Sequence, residues 1–187
     1  MLAKKVILTV SVFFICGSFI FAKENTASVK LSLVPSISTP KKDIVEGLDF
    51  AIISTKSKKV TGFQFSFLYA EIAEKSKGAQ MAVYSKTQDF DGAKAGLISL
   101  SENVRGYNLG AISFTNDFTG FQTGLVTSNS SIKGLQIGIV NVSEKVTGVQ
   151  IGLVNLAENM EGVQLGVFNV IRQSHLPVMI ILNAKFN

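Results

Sequence analysis

GLQIGIVNVSEKVT (134–147), GVQIGLVNLAENME (148–161) and GVQLGVFNVIRQSH (162–175) follow one another without a gap, and their reading decides the fold. Gly134, Gly148 and Gly162 open the three units, and Gly138, Gly152 and Gly166 recur four positions into each. Working back along the chain, the same ruler continues through Gly120 and Gly124, Gly106 and Gly110, and Gly92 and Gly96. A looser copy lies at Gly62 and Gly78. A fixed period of this kind is the mark of a repeat architecture, in which each unit buries its inner face only against its neighbours.

Within each unit, positions two, four and six are apolar while position three is polar, as in Val149, Ile151 and Leu153 around Gln150. That alternation of period two is the pattern of a strand. Helix is disfavoured because two glycines per unit cost about 1 kcal/mol each in a helix interior. Position three reads Gln64, Gln80, Lys94, Asn108, Gln122, Gln136, Gln150 and Gln164, and position thirteen is apolar from Phe90 to Met160. Positions ten to twelve, such as Ser101, Glu102 and Asn103, are small or polar and read as turns. The fold class is therefore all-β: about eight 14-residue strand-plus-turn units.

Two architectures satisfy this pattern. In a β-solenoid, or β-roll, each unit is one coil and like residues stack about 4.8 Å apart; Val146, Val149, Ile151 and Leu156 would then point inward. In an up-and-down β-barrel of the outer-membrane type, Val149, Ile151 and Leu153 would face lipid, with Gly148, Gln150 and Gly152 facing the lumen. The apolar set spans only about 5 residues of each unit, whereas a spanning strand needs about 9 to 11. The chain has no tryptophan for interfacial girdles, and its units show no odd/even difference of the kind a meander with two ends would produce. These points favour the solenoid, with the barrel as a close alternative.

The ends bound the rest. Lys4 and Lys5 precede an apolar run from Val6 to Ala22, the layout of a secretory signal peptide cleaved after Ala22. The expected organisation is a signal peptide over 1–22, N-terminal strands or a cap over 23–59, the tandem repeats over 60–174, and a C-terminal closing strand over 175–187. The sole cysteine, Cys16, lies inside the apolar run, so the processed chain has no thiol for a disulfide or metal site. Loss of Lys4 and Lys5 lowers the formal charge from +5 to +3, with the remaining charges scattered. No basic block points to nucleic acid.

The units GLQIGIVN, GVQIGLVN and GVQLGVFN, behind a signal peptide and the strand VKLSLVPSIS and ahead of LPVMIILNAKF, resemble the bacterial surface repeat-containing proteins. The resemblance runs over about residues 28 to 187. It implies an exported, envelope-associated protein of a bacterium with an outer membrane, and it supplies no catalytic residue. A surface ligand or an envelope component is the expected partner, with the outer membrane as one candidate.

Four sets of residues could carry chemistry. His175, the single histidine, has neither a cysteine partner nor an adjacent acid, and reads as a loop residue. The column of Gln122, Gln136, Gln150 and Gln164 could bind a sugar or peptide, but in a solenoid stacked amides hydrogen-bond one another. Asn141, Asn155 and Asn169 read the same way. The glycines lack the helix that a phosphate-binding loop needs, and the acidic positions Asp89, Asp91, Asp117, Glu102, Glu144 and Glu158 lack the calcium-binding GGxGxD string. The expectation is a non-enzymatic protein without cofactor or metal, with a structural or adhesive role.

Overall fold

The computed structural model describes residues 25–186. Their regular elements are all strands: β1 Thr26–Val34, β2 Ile37–Thr39, β3 Ile44–Ala51, β4 Ser54–Ser57, β5 Lys59–Ile72, β6 Ser76–Ile151, β7 Val154–Ile171 and β8 Val178–Lys185. The signal segment and Cys16 lie outside the described residues. β6 is a run of 76 residues, which as a straight strand would reach about 250 Å. Instead the backbone winds into a β-solenoid of about 9 turns.

Parallel pairing sets the coils. Val140 lies beside Val154, Gly148 beside Gly162 and Gln150 beside Gln164, an offset of one repeat. Earlier coils pair in the same sense, with Gly62 beside Gly78 and Gly47 beside Gly62. Gly47 thus opens a coil that the sequence reading left in the irregular N-terminal piece. Gly62 stands 16 residues before Gly78, two over the period, and a register shift between Ser66 and Tyr69 takes up one of the two. Residues 101–103, expected as a turn, stay in extended backbone; the coil bends at corners without leaving the sheet.

The barrel alternative is overturned. β1 pairs with β2 and β3, β8 pairs with β7, and β1 and β8 do not meet. Only an antiparallel meander could place successive units in a barrel, whereas a parallel offset of one period stacks each residue on its own counterpart. The two ends are finished by antiparallel strands. β2 folds back on β1, and β8 runs back along β7 with Leu182 beside Leu165 and Asn183 beside Gln164. Each end coil is thereby covered by the chain's own backbone.

The inward and outward assignment differs from the expected one. Val146 is buried, as expected for a solenoid, but Val149 and Leu156 are half-buried and Ile151 is exposed. Position three is buried instead: Gln122, Gln136, Gln150 and Gln164 have no accessible surface, and the same holds for Asn141, Asn155 and Asn169 at position eight. One apolar column accompanies them, formed by Phe90, Val104, Phe118, Ile132, Val146 and Met160 at position thirteen. The interior is thus two polar columns, at positions three and eight, one apolar column, and a mixed column at position ten that runs from Thr115, Asn129 and Ser143 to Ala157 and Ile171.

The first glycine of each unit makes the close stacking of coils feasible. Gly148 has φ of +134°, a region that side chains rarely enter, and a Cβ there would overlap the carbonyl oxygen of Gly134. The equivalent glycine of every coil from Gly47 to Gly162 shares this positive φ. At the second glycine the obstruction is also a side chain: a Cβ at Gly152 would press on the amides of Asn141 and Asn155. The glycine positions therefore make room for the polar columns.

Candidate functional site

The buried amides form chains running along the solenoid. The Nε2 of Gln164 donates to Oε1 of Gln150 at 2.8 Å, and the Nε2 of Gln150 donates to Oε1 of Gln136 at 2.7 Å. Beside them, Asn141 donates to Oδ1 of Asn155 and Asn155 to Oδ1 of Asn169, both at 2.8 Å. Each asparagine also donates to a backbone carbonyl, of Ile151 and Leu165 respectively. Stacking like amides in this way satisfies groups that would be expensive to bury alone. Gln136, Gln150 and Gln164 form one ladder and Asn141, Asn155 and Asn169 a second beside it; Gln122, buried in the same column, bonds Asn129 instead, while Gln136 donates to Thr127.

At the N-terminal end the same column ends in charges that the repeat pattern did not reveal. Gln80 donates to Gln64, and Gln64 donates to the carboxylate of Asp49 at 2.9 Å. Asp49 is fully buried and also accepts from the hydroxyls of Thr55 and Ser57. Lys30, stacked beside Asp49 in register, donates to Ser57 Oγ at 2.9 Å. The signal that could have found them is the spacing of Gly47 from Gly62, which puts Asp49 at position three of its coil.

Between these two stretches the ladder is interrupted at Lys94. Its ammonium donates to Thr87 Oγ1 at 2.6 Å and Ser101 Oγ at 2.5 Å, and it stands 5.9 Å from the ring centre of Phe90. Burial pushes its pKa down to about 7, because desolvation disfavours the charged form. An ammonium offers no acceptor and does not bond the preceding amide, so Gln80 Oε1 is unpaired; Asn108, one methylene shorter than glutamine, leaves its own Oδ1 and Gln122 Nε2 unpaired. The middle coils are the least satisfied part of the interior.

On the outside, His175 is exposed in the loop after β7. Glu144 and Glu158 occupy neighbouring coils in register, and Glu158 pairs with Arg172 at 3.2 Å. Among the described residues no three of His, Cys, Asp and Glu gather around a point that could hold a metal ion. An apolar groove lies at the N-terminal end between Leu31, Leu33, Ile37, Phe50 and Ile52, and two others are edged by charged residues. One, of about 460 Å³, is edged by Asp89, Asp91, Asp117, Arg105 and Lys133; the other, of about 390 Å³, by Glu144, Glu158 and Arg172 beside Phe114, Val142 and Leu156.

From Gly92 onward the exterior at positions six and seven is apolar, whereas in the earlier coils Lys56, Glu71 and Lys86 stack in register on the outside. Leu97, Leu125, Ile139, Leu153 and Val167 at position six are exposed, each by close to half or more of its surface. Ile112, Val126 and Phe168 at position seven are exposed as well. Comparison with protein-family models, with curated proteins and with solved structures finds no match to this chain.

Proposed function

We propose that this chain is a non-enzymatic, exported β-solenoid of the bacterial envelope or cell surface, with a structural or adhesive role. What carries the reading is the division of labour between inside and outside. The interior amides of Gln136, Gln150 and Gln164 and of Asn141, Asn155 and Asn169 are engaged in holding coil to coil, while the exterior presents the same columns again and again along the solenoid. A repetitive outer surface suits extended contact with another surface, as other solenoids use theirs. The basic start and apolar run of residues 1–22 support export, and the repeat resemblance supports an envelope location.

Expression of the full chain in a bacterium with an outer membrane tests this. The expected result is an envelope-associated protein whose N-terminus begins after Ala22 and which is cut by protease added to intact cells. An unprocessed chain recovered with the cytoplasm defeats the reading.

A further inference from the structure

We propose that the C-terminal strand β8 is a pairing edge for a second copy of this chain, so that two solenoids join tail to tail through antiparallel β8 strands. The inference goes beyond the adhesive reading and does not depend on export. β8 ends the sheet: among the described residues it pairs with β7 on one side and with no strand on the other. The backbone N–H and C=O groups along that outer side form a ladder open to one more strand.

The two ends of the solenoid are finished differently, and the difference points to β8. At the N-terminal end β2 is three residues long, the chain after it reads Pro40, Lys41 and Lys42, and Lys42 Nζ donates to the Thr26 carbonyl at 3.0 Å. A short strand, a proline and lysines are devices that keep an edge from pairing. β8 has none of them. It is eight residues long, its stretch from Val178 to Ala184 carries neither charge nor proline, and the extra residue at its register shift lies on β7, between Gly166 and Asn169. Val178, Ile180, Ile181 and Leu182 are exposed by 46% to 73%. Ile181, the most exposed of them, is held at φ of +72°, a costly conformation for a β-branched residue.

Self-pairing fits what β8 offers. Antiparallel strands related by a two-fold axis present the same patch to each other. An axis through Ile180, perpendicular to the sheet, sets Ile180 beside the partner's Ile180 and Val178 beside the partner's Leu182, apolar against apolar. The one charge on β8, Lys185, stands far enough from that axis to leave the two lysines about 33 Å apart. Leu176, Val178, Ile180, Ile181, Leu182 and Phe186 are all exposed at this end. At roughly 100 Å² each they supply about 600 Å² per partner, at the low end of stable interfaces, which fits a dimer in the micromolar range.

The apolar groove at the other end does not compete for this edge. Lys30 and Asp49 are buried side by side, so their neighbours Leu31 and Phe50 face sideways, and the groove lies on the flank of the first coils. A flank offers side chains but no ladder beyond that of the short β2.

The test is sedimentation of the purified chain from about 1 to 100 µM, where the wild type is expected to pass from monomer to dimer. Ile180→Lys sets two ammonium groups against each other at the axis and is expected to weaken the dimer by about 100-fold or more. Ile37→Lys in the N-terminal groove and Leu153→Lys on the flank should leave it unchanged. In a Cys16→Ser background, which removes the sole native thiol, Ile180→Cys should form an interchain disulfide under mild oxidation and Ile37→Cys should not. That cross-link decides the case by itself if circular dichroism shows Ile180→Lys to be unfolded. A chain that stays monomeric throughout, a dimer that folded Ile180→Lys leaves intact, one that Ile37→Lys or Leu153→Lys dissolves, or an Ile180→Cys chain that does not cross-link overturns the proposal. So does growth past the dimer into filaments, which is the mark of a head-to-tail contact that does not close.

Discussion

Lys94 shows what a single position does in this interior. It occupies the column otherwise held by amides, it is almost wholly buried, and hydroxyls are its only hydrogen-bond partners. Its pKa falls to about 7 in the folded chain from 10.5. Below that window lysine is protonated in both states and the burial penalty is constant. Between about 7 and 10.5 the unfolded chain holds a proton that the folded chain has shed, so stability rises with pH. The denaturant midpoint should therefore increase from about pH 7 to about pH 9.5. Lys94→Gln should remove that slope and raise the midpoint at the lower pH, since the new amide can donate to Gln80 Oε1. A variant with the wild-type slope would show that Lys94 does not set it. The substitution of lysine for glutamine was plain in the sequence; its burial was not, because a strand alternation does not say which face is inside.

At the scale of the element, the ladder should be strong where it is complete and weak where it is broken. Gln150 both donates to Gln136 and accepts from Gln164. Truncation to alanine removes both of these bonds, leaving Gln136 Oε1 with only the bond from Ser143 and Gln164 Nε2 with only the bond to the Val170 carbonyl, at a cost of about 1–3 kcal/mol. Gln122 is as deeply buried, yet its Nε2 is already unpaired and its bond is a single one accepted from Asn129 at 2.8 Å. Gln122→Ala should cost clearly less, and thermal melts of the two variants side by side measure the difference; equal losses would mean that burial rather than the ladder sets the cost. The strands, the glycine columns and the stacking of Gln136, Gln150 and Gln164 were legible from the repeat. The corners were not, since residues 101–103 read as a turn from their polarity and yet continue the sheet. Coil corners need two successive outward residues, which polar composition does not distinguish from a loop. The first coils were hidden for another reason: Asp49 and Lys30 replace the amide, and the spacing there departs from the period.

For the whole molecule the coil is the unit of deletion. Excising residues 134–147 brings Gly148 into the place of Gly134 and leaves every column in register, so the shortened chain should keep its β-sheet circular dichroism with a modestly lower melting temperature. Excising 134–146 removes one residue fewer and offsets all downstream columns by one, turning Gln150 and Gln164 toward water and the exposed Ile151 and Leu165 inward. That chain should fail to fold beyond the N-terminal coils. If both deletions melt alike, register along the solenoid is not what holds the fold.

The sequence by itself determined the unit and its strand character, because an unbroken period with two glycines per unit leaves little room for helix; it favoured stacked coils but kept the barrel as a close alternative, and the parallel pairing that decides between them belongs to the tertiary structure. Tertiary structure decided which face is interior. A period of two looks the same from either side of a sheet, and the usual rule would have placed Val149 and Ile151 in the core. The coil inverts that rule because its interior is narrow and repeats identically along the axis. Glycine lets neighbouring backbones meet, amides stacked at the coil spacing satisfy one another beside the single apolar column, and the aliphatic side chains of positions two, four, six and seven are left outside or half-buried. That inversion turned a column read as scaffold into the core, and a strip read as core into the surface on which the protein's function is proposed to rest.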